Sequence, residues 1–180
     1  MSSLKGHLLV AAPSLIDPNF RRSVVLLGEH GDDGALGLIL NRASDSTVDA
    51  AVPELTALVD GNESIHVGGP VQPSAIVILA EFAEPERAES LVLADIGFVP
   101  AESDPELLGE LRRARVFAGY AGWGPGQLDD ELGEGSWIVE PAVPEDVFTT
   151  DPDDLWSEVL RRKGGRFGVL ALMPPDPSLN

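Results

Sequence analysis

The chain has no cysteine. That excludes a disulfide framework, a thiolate metal centre and a cysteine nucleophile, and it fits a cytoplasmic protein, which is the expected location. Positive charge is also scarce: 12 Lys and Arg stand against 30 Asp and Glu, a formal net charge of -18. A surface of that sign repels phosphate backbones and anionic lipid headgroups, so no direct contact with nucleic acid is expected. Long apolar runs are absent as well. LLVAA at 8–12 is shorter than a signal-peptide core, and nothing approaches the roughly 20 apolar residues of a membrane span, so no membrane association is expected.

What is present points to a packed domain. The composition is 43% hydrophobic with a mean hydropathy of +0.05, well clear of chains that stay disordered for want of apolar surface. A length of 180 residues fits one domain spanning 1–180, which would bury roughly 70% of the surface its unfolded chain exposes.

Along the chain, LLVAA reads as a strand ending at Pro13, followed by an irregular loop, PSLIDPNFRR, whose prolines bar regular helix. SVVLLGEH and ALGLILN flank GDDG and predict a hairpin. Val48, Val52, Leu55 and Val59 recur at helical spacing, but Pro53 divides that stretch into two short pieces. IHV and SAIVILAEF, separated by GGPVQP, predict a second hairpin. Asp104, Pro105 and Glu106 ahead of Leu107, Leu108 and Leu111, with Arg112 and Arg113 behind, predict a capped helix. The same reasoning predicts another from Pro152 to the RRKGG stop, with Leu155, Trp156, Val159 and Leu160 on one face. RVFAGYAG, SWIV and FGVLAL read as strands, and the tail MPPDPSLN is too proline-rich for regular structure. Strands that arrive mostly in hairpins, with helices unevenly inserted, imply an α+β fold with a mixed, largely antiparallel sheet.

GYAGWGPGQL at 119–128 tests whether a glycine-rich run cradles a phosphate. GxxxxGK[ST] would need a lysine and a hydroxyl where Pro125 and Gly126 stand, and in GxGxxG terms the third glycine comes one residue early. Pro125 lacks an N–H, and Asp129, Asp130 and Glu131 place negative charge in and just past the first turn of the helix expected to begin near Pro125. The run therefore reads as a structural corner, with Trp123 pinning it.

GHLLVAAPSLIDPNFRRSVVLLGEHGDDGALGLILNR, HVGGPVQ and GYAGWGPGQLDDEL followed by SW resemble the three ordered blocks of the bacterial AlgH/YqgE family, over most of the chain from Gly6 to about Trp156. The resemblance implies an α+β fold in which a bifurcated sheet wraps into a pseudo-barrel with flanking helices. It also implies a link with transcriptional regulation, but brings no established catalytic or DNA-contacting residue set.

The histidines at 7, 30 and 66 fall in no local metal spacing. His30 lies beside Glu29, Asp32 and Asp33, a set that would serve a divalent cation or simply form an acidic hairpin tip; no metal and no cofactor is expected. His7 and His66 read as hydrogen-bonded histidines at the core margin, and no GxSxG elbow marks a serine as nucleophile. The candidate surface for a ligand or partner comprises Asp17, Arg22, His30, Asn41, Trp123 and Gln127. Internal roles stand beside it: Asp17 capping a turn, Arg22 pairing with a carboxylate, Asn41 closing a strand. The expected function is that of a non-enzymatic regulatory or interaction protein acting through a protein partner or small ligand. The alternative is an enzyme of unidentified reaction, its cleft built from the first block and the GYAGWGPGQ corner.

Overall fold

The computed structural model describes residues 2–175. Strand β1 (His7–Ala11) is followed by the hairpin of β2 (Val24–Gly31) and β3 (Gly34–Ile39), whose loop, Asp32 and Asp33, is tighter than the expected GDDG because Gly31 pairs with Gly34. Then come β4 (Ala43–Thr47), α1 (Val48–Ala51), a 3-10 turn over Pro53–Ala57, β5 (Ser64–Val67), β6 (Val71–Phe82), β7 (Ser90–Leu93) and β8 (Ile96–Phe98). The long strand β9 (Leu111–Trp123) leads into α2 (Gln127–Gly133), β10 (Trp137–Pro141), α3 (Pro144–Val147), α4 (Pro152–Lys163) and α5 (Arg166–Leu170).

The fold is α+β. The main sheet runs β10-β1-β2-β3-β9-β6-β8-β7, with β4 and β5 branching from it. Every pairing is antiparallel except β5 with β9. The sheet forks on β9: its far end pairs with β3 (Ala35 with Trp123), while its earlier residues lie between β6 and the parallel β5 (His66 with Phe117). The two arms curl toward each other, so that the ring of Phe98 closes over Gly28. The result is a pseudo-barrel whose ends, β10 and β7, do not pair.

Burial explains the uninterrupted apolar runs. Leu8, Val10, Val24 and Leu26 face a core shared with Phe117, Leu155, Trp156 and Leu160. Their neighbours Leu9, Ala11, Val25 and Leu27 face a second core with Trp123, Leu128 and Trp137. Strands buried on both faces show no polar alternation, and each such side chain adds about 1.5–3 kcal/mol of transfer free energy as an upper bound. Helix α4 is placed as expected. The Asp151 side chain accepts from the Asp154 N–H at 3.3 Å, acidic residues fill the first turn, Arg161, Arg162 and Lys163 fill the last, and Gly164 ends it. The indole N–H of Trp156 donates to the Ala11 carbonyl at 2.9 Å, locking the helix onto β1.

Three expectations are corrected. IHV and SAIVILAEF form no hairpin: β5 and β6 lie on either side of β9, because GGPVQP carries the chain across that strand instead of turning it back. The helix expected at 104–113 is one 3-10 turn, Pro105–Leu108, capped by Asp104. Gly109, at φ 70°, ends it, and LRRARVF continues as a strand whose residues alternate between two packed faces. FGVLAL is not a strand: α5 sets Phe167 and Leu170 against the core one turn apart, and Ser157 Oγ donates to the Ala171 carbonyl at 3.0 Å. The helix after the glycine corner begins at Gln127, two residues later than expected, with Gly126 as its N-cap. Residues 173–175 are irregular as expected, and the rest of the tail, 176–180, lies outside the described residues.

The fork depends on a close backbone crossing. Gly119 holds φ 76°, and a Cβ there would stand 2.5 Å from the Gly69 carbonyl oxygen. Gly119→Ala should therefore lower the urea midpoint by the equivalent of about 1–3 kcal/mol from backbone strain alone, with the clash in addition. Equilibrium unfolding of the two proteins measures it.

Candidate functional site

The residues proposed from sequence divide into two groups. The first lies at the junction of the irregular loop, the end of β3 and the start of α4. Asp17 Oδ1 accepts from the Asn19 N–H at 2.8 Å, and its carbonyl accepts from Phe20 and Arg21, making the tight turn its position suggests. Asn41 ties this loop to the hairpin: its Nδ2 donates to the Arg22 carbonyl and its Oδ1 accepts from the Val24 N–H, both at 2.9 Å. Held this way, Arg22 occupies the left-handed region at φ 58°. The expected carboxylate partner is not found among the described residues. The guanidinium instead stacks on the Trp156 ring at 4.2 Å and donates to the Met173 carbonyl at 3.0 Å.

Two further arginines complete this group. Arg21 donates to the Pro175 carbonyl at 2.7 Å, and Arg42 donates to the carbonyls of Asn19 and Arg21. Arg42 was not among the expected site residues: a bulge between Leu27 and Glu29 shifts the hairpin register so that Val25 pairs with Ile39, and continuing that pairing sets position 22 opposite 42. Arg21, Arg22, Asn41 and Arg42, with Pro152, Asp153 and Pro175, line an open concavity of about 410 Å3. Burial lowers the pKa of Arg22, with Arg21 adding to the effect; burial also lowers that of Arg42.

Six other arginines are paired internally, while Lys5, Lys163 and Arg166 meet no carboxylate among the described residues. Arg87, Arg112, Arg113, Arg115, Arg161 and Arg162 each sit 2.8–3.6 Å from a carboxylate oxygen. Among the described residues, Arg21, Arg22 and Arg42 make no such pair.

The second group surrounds the glycine corner. Trp123 is buried, 6% exposed, and its N–H donates to Glu131 Oε1 at 3.1 Å. Trp137 donates to the same oxygen at 2.9 Å, and the Gln127 amide to Oε2 at 2.9 Å. Glu131 therefore anchors the corner, a role that its position as one of several helix acids did not reveal. The Gly124 N–H, which an anion would need, donates instead to Gln127 Oε1 at 3.0 Å. His30 Nδ1 accepts from the Leu4 N–H at 2.9 Å, which leaves its proton on Nε2, facing Asp129 Oδ1 at 3.7 Å. Glu29, Asp32 and Asp33 are exposed at the hairpin tip, and no cluster of three or more metal-ligating side chains occurs among the described residues. The two groups touch where Phe20 packs on Trp123 at 6.2 Å and on Trp137 at 5.8 Å between ring centroids.

A second concavity, about 420 Å3, is lined by His66, Arg115, Glu63, Asn62, Thr149 and Thr150 among others. Arg115 donates to the carbonyls of Thr149 and Val147 and faces Glu63, so its charge holds the segment before α4 in place. Burial, then the nearby Arg115, pushes the His66 pKa down to about 4.

Trp123→Ala should cost about 3–5 kcal/mol, the usual scale for a large core truncation, read from urea unfolding. A small change accompanied by loss of a ligand or partner would make the ring part of a binding surface. For His66, the folded protein keeps the ring neutral to about pH 4, while the unfolded chain takes up its proton near 6.5. The stability this contributes is present above about pH 6.5 and is lost as the pH falls toward 4. His66→Gln should therefore show a shallower loss of stability across that window in unfolding series run at stepped pH.

The comparisons with known proteins agree with this architecture. A family model described as AlgH-like matches residues 8–168. A UPF0301 protein of Streptomyces coelicolor is 46% identical over 187 residues, covering 100% of this chain and 97% of the relative. A UPF0301 protein of Mycobacterium avium is 40% identical, covering 97% and 90%. Among solved structures, a Corynebacterium diphtheriae protein superposes with a TM-score of 0.84 at 32% identity, covering 95% of this chain and 92% of that one. The solution structure of the AlgH protein from Pseudomonas aeruginosa gives 0.74 at 29% identity, covering 96% and 95%. With the fork on β9, the three sequence blocks and the family match in agreement, the chain belongs to the AlgH-like family.

Proposed function

We propose that this protein is a non-enzymatic regulatory or interaction protein, acting through a small ligand or protein partner that docks where the irregular loop, the end of β3 and the start of α4 meet. One observation carries the reading. In a chain of net charge -18, Arg21, Arg22 and Arg42 share one concave surface without a carboxylate partner among the described residues. Guanidinium groups gathered on an open surface raise the local positive potential, and a fixed arginine fork is suited to recognition.

The same charge accounting supports an indirect route to any effect on transcription. Two of the basic clusters are already occupied: Arg113 and Arg115 face Glu81 and Glu63, while Arg161 and Arg162 bond to Asp154 and Asp146. Too few cations remain to neutralise a run of backbone phosphates, and the net charge opposes the approach.

The test joins function and fold. A deletion strain should be complemented by the wild-type gene but not by Arg21→Glu, although the purified variant melts as wild type does. Neither protein should bind duplex DNA in fluorescence anisotropy at physiological salt. Full complementation by Arg21→Glu, or saturable DNA binding with a marked salt slope, would overturn the proposal.

A further inference from the structure

Three arginines in the wall of one concavity raise the question of what they hold. We infer that the surface between Arg21, Arg22 and Arg42 binds the phosphoryl group of a small phosphorylated ligand. This rests on the reading above that the same face is the docking surface.

Donor accounting comes first. Each guanidinium carries five N–H donors. Arg21 spends one on the Pro175 carbonyl, Arg22 one on the Met173 carbonyl, and Arg42 two on the carbonyls of Asn19 and Arg21. None of these bonds goes to a side chain among the described residues. A single carboxylate is satisfied by one fork. Three arginines in the wall of one concavity favour an anion of more than one charge, and a phosphoryl group is a dianion with three terminal oxygens.

The groups are also held in advance of binding. Arg22 sits over the Trp156 ring, and both hydrogen bonds of Asn41 hold its left-handed backbone. A non-glycine residue in that region costs of order 1–3 kcal/mol and persists only where its surroundings impose it, an arrangement concentrated at binding and switching sites. Arg42 is fixed by two carbonyls of the loop it faces. Side chains immobilised before the ligand arrives lose little entropy on binding it.

Size and field restrict the ligand to a small molecule. The concavity, about 410 Å3, falls within the range of small-ligand sites. Charges are screened beyond about 8 Å at physiological ionic strength, so a compact anion seated among the arginines responds chiefly to them. A duplex or an anionic bilayer brings many more charges against the acidic remainder of the surface. The local carboxylates set the limit on affinity: Asp153 forms part of the wall, Asp17 acts on Arg42, and Asp154 acts on Arg22.

Isothermal titration with inorganic pyrophosphate in metal-free buffer tests the inference, with citrate, a short DNA duplex and phosphatidylglycerol vesicles as comparison arms. Pyrophosphate should bind one to one, more weakly as salt rises. Arg21→Gln and Arg42→Gln should each raise Kd roughly tenfold, the scale of one lost charge-assisted hydrogen bond. Asp153→Asn should lower Kd several-fold, a gain that a damaged fold cannot mimic. Citrate should bind more weakly, and duplex and vesicles not at all. No saturable pyrophosphate binding, equal binding by the arginine variants, or tighter binding of citrate, duplex or vesicles would overturn the phosphoryl assignment. Should pyrophosphate fail to bind while Arg21→Glu still fails to complement, the docking surface stands and the ligand class falls.

Discussion

The architecture depends on a crossing of bare backbone. Where Gly68 and Gly69 pass Gly119, a methyl group on any of the three would collide with a main-chain atom of the opposing segment. That approach allows β5 to run parallel to β9 while the next residues of β9 pair with β3. Without it the sheet could not divide, and its two arms would not enclose the core that Phe117 and Trp156 share with β1 and β2. The glycine-rich blocks that look like a ligand motif are therefore requirements of packing, and the polar chemistry lies at the other end of the β2–β3 hairpin.

The same separation divides the six residues proposed from sequence. Trp123 and Gln127 are bound into the carboxylate of Glu131, and His30 is held between the Leu4 N–H and Asp129. Asp17, Asn41 and Arg22 shape a loop that presents arginines to solvent. Phe20 connects the two groups through packed rings, so a displacement of the loop would be felt at the corner without a polar path between them.

Local pairings were legible. The 24–39 hairpin, the break at Pro53 and the caps of α4 each follow from residues within a few positions of one another. Pairings decided by distant partners were not. LRRARVF carries helix-compatible leucines and arginines, and only the presence of Phe82, Val77 and His66 alongside makes it a strand. GGPVQP has the composition of a hairpin turn, and nothing local announces that β9, about 50 residues later, will lie between its flanking strands. Arg42 was out of reach too: continued from Gly31 with Gly34, the hairpin register sets position 22 opposite 43, and only the bulge between Leu27 and Glu29 brings Arg42 there. The shared carboxylate of Glu131 depended on where two indoles converge, which no spacing encodes.

The pairing of β1 with β10 has a consequence for biosynthesis. His7 to Ala11 bond to Pro141 to Trp137, and the Ala11 carbonyl receives the Trp156 N–H. At 5–20 residues per second, translation needs on the order of ten seconds to deliver those partners after β1 has been made. Throughout that interval the emerging hairpin offers apolar strands with open edges at β1 and β3, the state in which nascent chains adhere to one another. The excess of carboxylates then serves the unfinished protein, holding neighbouring chains on a polysome apart until the C-terminal half arrives to cover the edge.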